Sequence, residues 1–271
     1  RQDHSVQTYG SQELNITVPH QLRERLQHVQ PDIVINCAAY TAVDKCETDR
    51  ENCWQVNADG TGNLATACHD VNARLIHIST DYVFDGKKAI PQAYTEEDGV
   101  HPVSEYGASK LAGEEQIRAN LANHVILRTA WLYGRGGPNF FKTMLRLAVA
   151  DPARTIRVVN DQYGSFTWTY RLALQIKALL NTTVSGTFHA TAEGYTTWFA
   201  GAKLFLETIE VPFSLEPCTT ADYPTPAKRP LNSILENSRL KENGLNRMVT
   251  WQEDVASFAH QFKSELLAEV S

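Results

Sequence analysis

Apolar positions in the first half of this chain fall into runs of two kinds that alternate. Thr17-Val-Pro19 reads as a helix start, with Pro19 in the first turn and Thr17 as the cap. Leu22, Leu26 and Val29 then mark one face, and Pro31 stops the helix. Asp32-Ile-Val-Ile-Asn36 reads as a buried strand, because a continuous apolar run is the mark of a parallel sheet covered on both faces. A loop at 37–44 leads into one long helical stretch through Val56, Leu64, Ala67, Cys68 and Val71. A strand over Leu75–Ile78, a helix carrying Tyr106 and Lys110, and a strand over Val125–Leu127 continue the alternation.

Strands that alternate with helices imply an α/β fold, a Rossmann-like doubly wound parallel sheet. Such sheets bind ligands beyond the carboxyl ends of their strands. The loops at 37–44, 79–86 and 128–134 all follow strands and are the candidate binding loops. After Tyr133-Gly134 the pattern changes. Helix stripes at Phe140/Met144/Leu147, Leu172/Ile176/Leu179 and Trp198/Ala202/Phe205/Ile209 are separated by strands over Ile156–Val159 and Gly186–Ala190. Residues 211–235 are rich in proline, and Thr250-x-x-Glu253 is a capping box that opens a last helix. The expected division is a first domain over 1–135 and a smaller, interleaved lobe over 136–271.

An apolar content of 42% is that of a globular chain with a real core, and a net charge of −6 argues against non-specific nucleic-acid binding. No run approaches the ~18 apolar residues of a membrane span, and the polar start is no secretory signal. Five cysteines without a Cys-x-x-Cys fit reduced thiols in a cytoplasmic protein, with Cys37 and Cys68 as small core residues. The histidines show no metal-ligand spacing, so no metal site is expected; His77 reads as a core residue and Asp44, Glu47 and Asp49 as a solvated acidic cluster.

The chemistry is concentrated in Tyr106-Gly-Ala-Ser-Lys110. Tyr106 and Lys110 stand one helical turn apart and share a face. A phenol is a weak acid–base catalyst at neutral pH, and a neighbouring ammonium is expected to lower its pKa. Upstream, a strand ends in Ser79-Thr80-Asp81, where the Thr80 hydroxyl can bond a substrate oxygen. These are the parts for protonating a carbonyl while hydride is added to its carbon. By itself Tyr-x-x-x-Lys also fits an ordinary helix surface.

Longer segments carry a family resemblance. They are Pro31-Asp-Ile-Val-Ile-Asn-Cys-Ala-Ala-Tyr-Thr-Ala-Val-Asp44, His77-Ile-Ser-Thr-Asp-Tyr-Val-Phe-Asp-Gly86, Tyr106-Gly-Ala-Ser-Lys-Leu-Ala-Gly-Glu114, Leu127-Arg-Thr-Ala-Trp-Leu-Tyr-Gly134, Asn160-Asp-Gln-Tyr-Gly164 and Tyr223-Pro-Thr-Pro-Ala-Lys-Arg-Pro230. Through them the chain resembles the extended short-chain dehydrogenase/reductases and, within these, the dTDP-4-dehydrorhamnose reductases. The resemblance implies NADPH- or NADH-dependent reduction of a dTDP-linked 4-keto-6-deoxysugar at C4, giving dTDP-L-rhamnose. It implies Tyr106 as proton donor, Lys110 as holder of the nicotinamide ribose and Thr80 as a hydrogen-bond donor to the keto oxygen. The cofactor would run along Ala38, Ala39, Tyr40, Thr41 and Ile78, with Asn15 and Ile16 near the adenine. Asp81, Trp131, Lys228 and Arg229 would meet the substrate, the last two at its diphosphate; Trp131 equally reads as core, and Lys228 and Arg229 as a solvated loop. Some relatives hold a divalent ion (Mg) between subunits, and a homodimer is one form open to the chain.

The family opens with a strand and a Gly-x-x-Gly-x-x-Gly turn that holds the pyrophosphate, and this sequence contains neither. The expectation is a sequence truncated ahead of Arg1, less stable and weak as an enzyme. Two other readings stay open: a non-catalytic subunit similar to the regulatory subunit of methionine adenosyltransferase, and a nucleotide-sugar epimerase or dehydratase.

Overall fold

The computed structural model describes residues 4–270; the first residues of the polar start, and the expectation about what precedes Arg1, lie outside them. The first half contains α1 (Pro19–Val29), β1 (Ile33–Asn36), α2 (Val43–Cys46), α3 (Arg50–Trp54), a π-helical turn (Gln55–Gly60), α4 (Thr61–Asp70), β2 (Arg74–Thr80), α5 (Glu105–Asn120), β3 (His124–Thr129) and β4 (Leu132–Tyr133). The second contains α6 (Phe140–Ala150), β5 (Thr155–Val159), β6 (Tyr163–Gly164), β7 (Thr167–Trp168), α7 (Thr169–Leu180), β8 (Gly186–His189), β9 (Thr196–Thr197), α8 (Trp198–Ile209), β10 (Ser214–Cys218), α9 (Ser238–Glu242) and α10 (Trp251–Val270).

The central sheet runs β1-β2-β3-β8, all parallel, with Val34 beside Leu75, Ile76 beside Val125 and Ile126 beside Thr187. Alternation along β3 sends successive side chains to opposite faces. Ile126 packs with Leu22, Leu64 and Ile117 under α1, α4 and α5, whereas Val125 and Leu127 pack with Leu172, Leu179 and Phe188 under α7. A third core of Tyr133, Phe141, Phe166, Phe205 and Phe258 joins α6, α8 and α10 beside the sheet. The sheet therefore takes its fourth strand, β8, from the second half of the chain.

Several expectations are corrected. Thr17 does not cap α1: Val18 holds that position, and both the Thr17 amide and hydroxyl donate back to Asn15 Oδ1. The hydroxyl is thereby committed elsewhere. β1 is not buried on both faces, because it pairs on one side only among the described residues and Ile35 is 45% exposed. The long helix through Val56 is interrupted by the π-helical turn, which is where α5 crosses it. There a Cβ on Gly113 would lie 2.2 Å from the Asn57 carbonyl oxygen, so the crossing requires glycine. Of the capping box, Thr250 Oγ1 accepts from the Glu253 amide, while the Glu253 carboxylate takes the Thr250 hydroxyl.

The proline-rich stretch conceals β10, which runs parallel to β5 with Pro217 opposite Val158. Proline can stand in an edge strand because no partner there needs its missing N–H. Cys37 is exposed rather than core, since it lies on the loop just past β1; Cys68 is buried.

Candidate active site

Thr80 closes β2, and α5 starts at Ser104, whose Oγ accepts from the Gly107 amide at 3.2 Å. Gly107 lets α5 press onto the turn after β2, because a Cβ there would sit 2.2 Å from the Tyr82 carbonyl oxygen. This close approach brings the Tyr106 phenol beside Thr80 and sets the Tyr106 and Tyr82 rings edge to face at 5.4 Å. Thr80 Oγ1 also accepts from the Tyr82 amide and donates to Asp81 Oδ1 at 3.1 Å. Asp81 is 3% exposed, its Oδ2 has no hydrogen-bond partner, and burial raises its pKa to about 6.

One turn along α5, Lys110 is 2% exposed. Its ammonium does not set the phenol's acidity. Burial is the largest influence on Tyr106 and pushes its pKa above the ordinary value, opposed by the neighbouring Thr80 hydroxyl. Lys110 Nζ instead donates to the Ile78 carbonyl at 2.8 Å and lies 3.2 Å from His77 Nε2. Burial lowers its pKa to about 8, against the pull of Glu114.

The next turn of α5 presents Glu114, fully buried and unremarked in the sequence reading. Arg128 of β3 grips it with two bonds, 2.9 Å from Nε and 2.7 Å from Nη2, and Ser79 Oγ donates at 2.6 Å. Burial acts to raise this carboxyl, but the Arg128 bonds prevail and hold it below its ordinary range. The pair fixes α5 against β2 and β3. The signal was available: Tyr106, Lys110 and Glu114 repeat every four residues along one helix face.

The loop after β1 was also under-read. Asn36 Oδ1 accepts from the Ala38 amide at 3.0 Å, and Asn57 in the π-helical turn holds Tyr40 by both backbone groups, at 2.8 and 3.1 Å. Asp44 pairs with Arg229 at 2.9 Å, Glu47 accepts from the Glu105 amide, and Asp49 accepts from the Tyr40 hydroxyl. Each member of this acidic cluster therefore also holds a donor of the chain, while the Asp44 side chain stays 42% exposed.

The remaining candidates are distributed around these loops. Cys37, Ala38 and Thr41 are exposed and Ala39 and Tyr40 half-buried past the end of β1. Ile16 is in the core against Gly60, with Asn15 exposed beside it. Trp131 follows β3 at φ 48°, stacked on Trp198 at 4.0 Å and half-buried. Lys228 is exposed, and Arg229 is tied to Asp44. The strap bearing both packs on the 79–86 loop: Gly86 has φ 71°, and a Cβ on it would lie 2.5 Å from Pro230. Among the described residues no group of side chains could hold a metal ion, and no helix is long and apolar enough to cross a membrane.

Residues 1–264 match the family described as RmlD substrate binding domain. A dTDP-4-dehydrorhamnose reductase of Sinorhizobium fredii (strain NBRC 101917 / NGR234) is 37% identical over 93% of this chain and 88% of its own length. One of Escherichia coli (strain K12) is 39% identical over 86% and 81%. The crystal structure of the Bacillus anthracis dTDP-4-dehydrorhamnose reductase in complex with NADP superposes with a TM-score of 0.90 at 38% identity, over 93% of this chain and 89% of that one.

Proposed function

The chain belongs to the RmlD substrate binding domain family, and from that premise we propose that it reduces the C4 keto group of dTDP-4-dehydrorhamnose to give dTDP-L-rhamnose, with NADPH as reductant. The observation that carries this reading is the buried Tyr106 phenol beside Thr80 at the carboxyl end of β2, with Lys110 one turn along the same helix.

The residues past β1 fit a dinucleotide. Cys37 and Ala38 present small exposed side chains that let a flat ligand approach the backbone, and Lys110 has three donors, one of which is used on the Ile78 carbonyl. Ala38, Ala39, Tyr40, Thr41 and Ile78 would line it, Tyr106 and Lys110 would hold the nicotinamide ribose, and Asn15 and Ile16 would flank the adenine. When bound, NADPH supplies the hydride.

The other roles are the chain's own. The keto oxygen takes a hydrogen bond from Tyr106 and one from Thr80, whose hydroxyl turns to it from Asp81 Oδ1. The raised pKa keeps the Tyr106 phenol protonated at neutral pH, ready to donate, and the alkoxide forming at C4 is the stronger base, so the proton moves to it. Asp81, with a buried and unbonded Oδ2, accepts from a sugar hydroxyl, and Trp131 gives the sugar an apolar wall. Lys228 and Arg229 face the diphosphate. Residues 1–135 mainly serve the cofactor and 136–271 mainly the sugar. We place the reaction in the cytoplasm, whose redox poise suits a chain in which all five cysteines are free thiols.

The test is Tyr106→Phe, assayed by consumption of NADPH with dTDP-4-dehydrorhamnose. Turnover should fall at least ~100-fold, the range of a lost general acid, with substrate affinity little changed. Turnover near that of the unmodified chain would sink the assignment.

A further inference from the structure

Cys46 ends α2 and Cys53 lies in α3, both wholly buried, and their sulfurs are 2.8 Å apart. A disulfide has S–S about 2.05 Å, so closure by roughly 0.75 Å would join them. The sequence reading counted both among the reduced thiols and gave neither a role.

The pair touches the catalytic helix. Cys53 Sγ lies 3.2 Å from Ser109 Oγ, and Ser109 in turn donates to the Tyr106 carbonyl at 2.8 Å. Asn57, which fixes Tyr40, donates to the same Ser109 hydroxyl at 3.0 Å and approaches Cys53 Sγ at 3.6 Å. One sulfur thus contacts both the turn bearing Tyr106 and Lys110 and the residue that fixes the loop after β1.

We propose that Cys46 and Cys53 form an oxidisable dithiol, a modification site whose closure to a disulfide slows the reductase. The oxidant is a hydroperoxide. One thiolate attacks a peroxide oxygen, the O–O bond breaks, and a sulfenic acid forms. The second thiolate attacks that sulfur, the S–O bond breaks, and water leaves once the hydroxide is protonated. Two thiols and hydrogen peroxide give one disulfide and two waters; sulfur loses two electrons and the peroxide gains them. Burial holds the Cys46 thiol protonated, so reaction waits on opening of α2 and α3. These are helices of four and five residues, and so short a pair opens locally at low cost. Closure draws Cys53 toward Cys46 and away from Ser109, loosening the Asn57–Ser109–Tyr106 connection.

The experiment treats the full chain with hydrogen peroxide, blocks remaining thiols, and maps the 46–53 cross-link by intact mass and peptide analysis, a readout independent of the reductase reading. NADPH turnover with dTDP-4-dehydrorhamnose is measured before and after, and again after dithiothreitol. Expected are a mass loss of about 2 Da, a 46–53 cross-link, and a threefold or greater fall in turnover that dithiothreitol reverses. Cys46→Ala and Cys53→Ala should each remove the cross-link and the reversible fall. If peroxide modifies exposed Cys37 while 46 and 53 stay unlinked, or the link forms and turnover is unchanged, the proposal is overturned. Should either variant fail to fold, the cross-link and its reversal on the unmodified chain still decide.

Discussion

Lys110 Nζ lies 3.2 Å from His77 Nε2, and what holds this buried contact in place is Asn36 on the neighbouring strand. Asn36 Oδ1 is committed to the Ala38 amide, so its Nδ2 faces His77 Nδ1 at 3.0 Å. With the amide assigned by that network, Nδ1 accepts and Nε2 carries the proton. That proton points at Lys110, which favours the neutral amine over the ammonium. Burial lowers Lys110 to about 8 and drives His77 well below its ordinary value, with Lys110 a second cause. Above about pH 8 the ammonium fraction of Lys110 falls, so kcat/KM should fall there too. In His77→Gln the amide oxygen accepts from the ammonium and raises its pKa, which should move that limb up by about one unit. A pH–rate profile with an unmoved limb would contradict this.

Glu114→Gln should destabilise the fold and slow turnover. The variant leaves Arg128 buried without its charge partner, a loss of about 3 kcal/mol. Thermal unfolding measures the first effect and steady-state kinetics the second. A melting temperature unchanged by the substitution would show that this ion pair does not anchor α5.

His189 predicts acid sensitivity. It is fully buried with Nδ1 bonded to the Glu236 carbonyl, and burial lowers its pKa to about 3. A folded value below the unfolded 6.5 means the neutral form stabilises the fold above pH 6.5, and that this is lost as pH falls toward 3. The loss is on the order of 4 kcal/mol by pH 3. Asp81 acts in the opposite sense: its folded value of about 6 lies above the ordinary 3.8, so its contribution declines as pH rises through 6. Chemical denaturation across pH 3 to 7 should show a steeper acid loss in the unmodified chain than in His189→Gln. Equal slopes would rule His189 out as the cause.

Asp44→Asn tests the strap. Removing the carboxylate frees Arg229 and loosens the residues that pack on Gly86. The expected result is a KM for the dTDP-sugar raised severalfold with kcat little altered. A fall in kcat with KM constant would instead place Asp44 nearer the chemistry.

The sequence by itself determined the alternation of strands and helices, the parallel sheet, and the Tyr106, Lys110 and Thr80 trio, because hydrophobic period and helical spacing are local properties written in consecutive residues. It pointed to Trp131 only as a choice between core and site, and its half-buried stack on Trp198 draws on residues 67 positions apart. Tertiary structure decided everything that depends on where distant segments meet. The π-helical turn at 55–60 exists where Gly113 lets α5 press close, β10 is a strand because β5 lies alongside it, and Asp44 is paired because Arg229 reaches it from the far end of the chain. Tertiary structure also reversed the expected electrostatics of Tyr106. Charge spacing along a helix predicted a lowered phenol pKa, but burial and hydrogen-bond direction, which no local pattern encodes, turned Lys110 toward His77 and Ile78 and raised it instead.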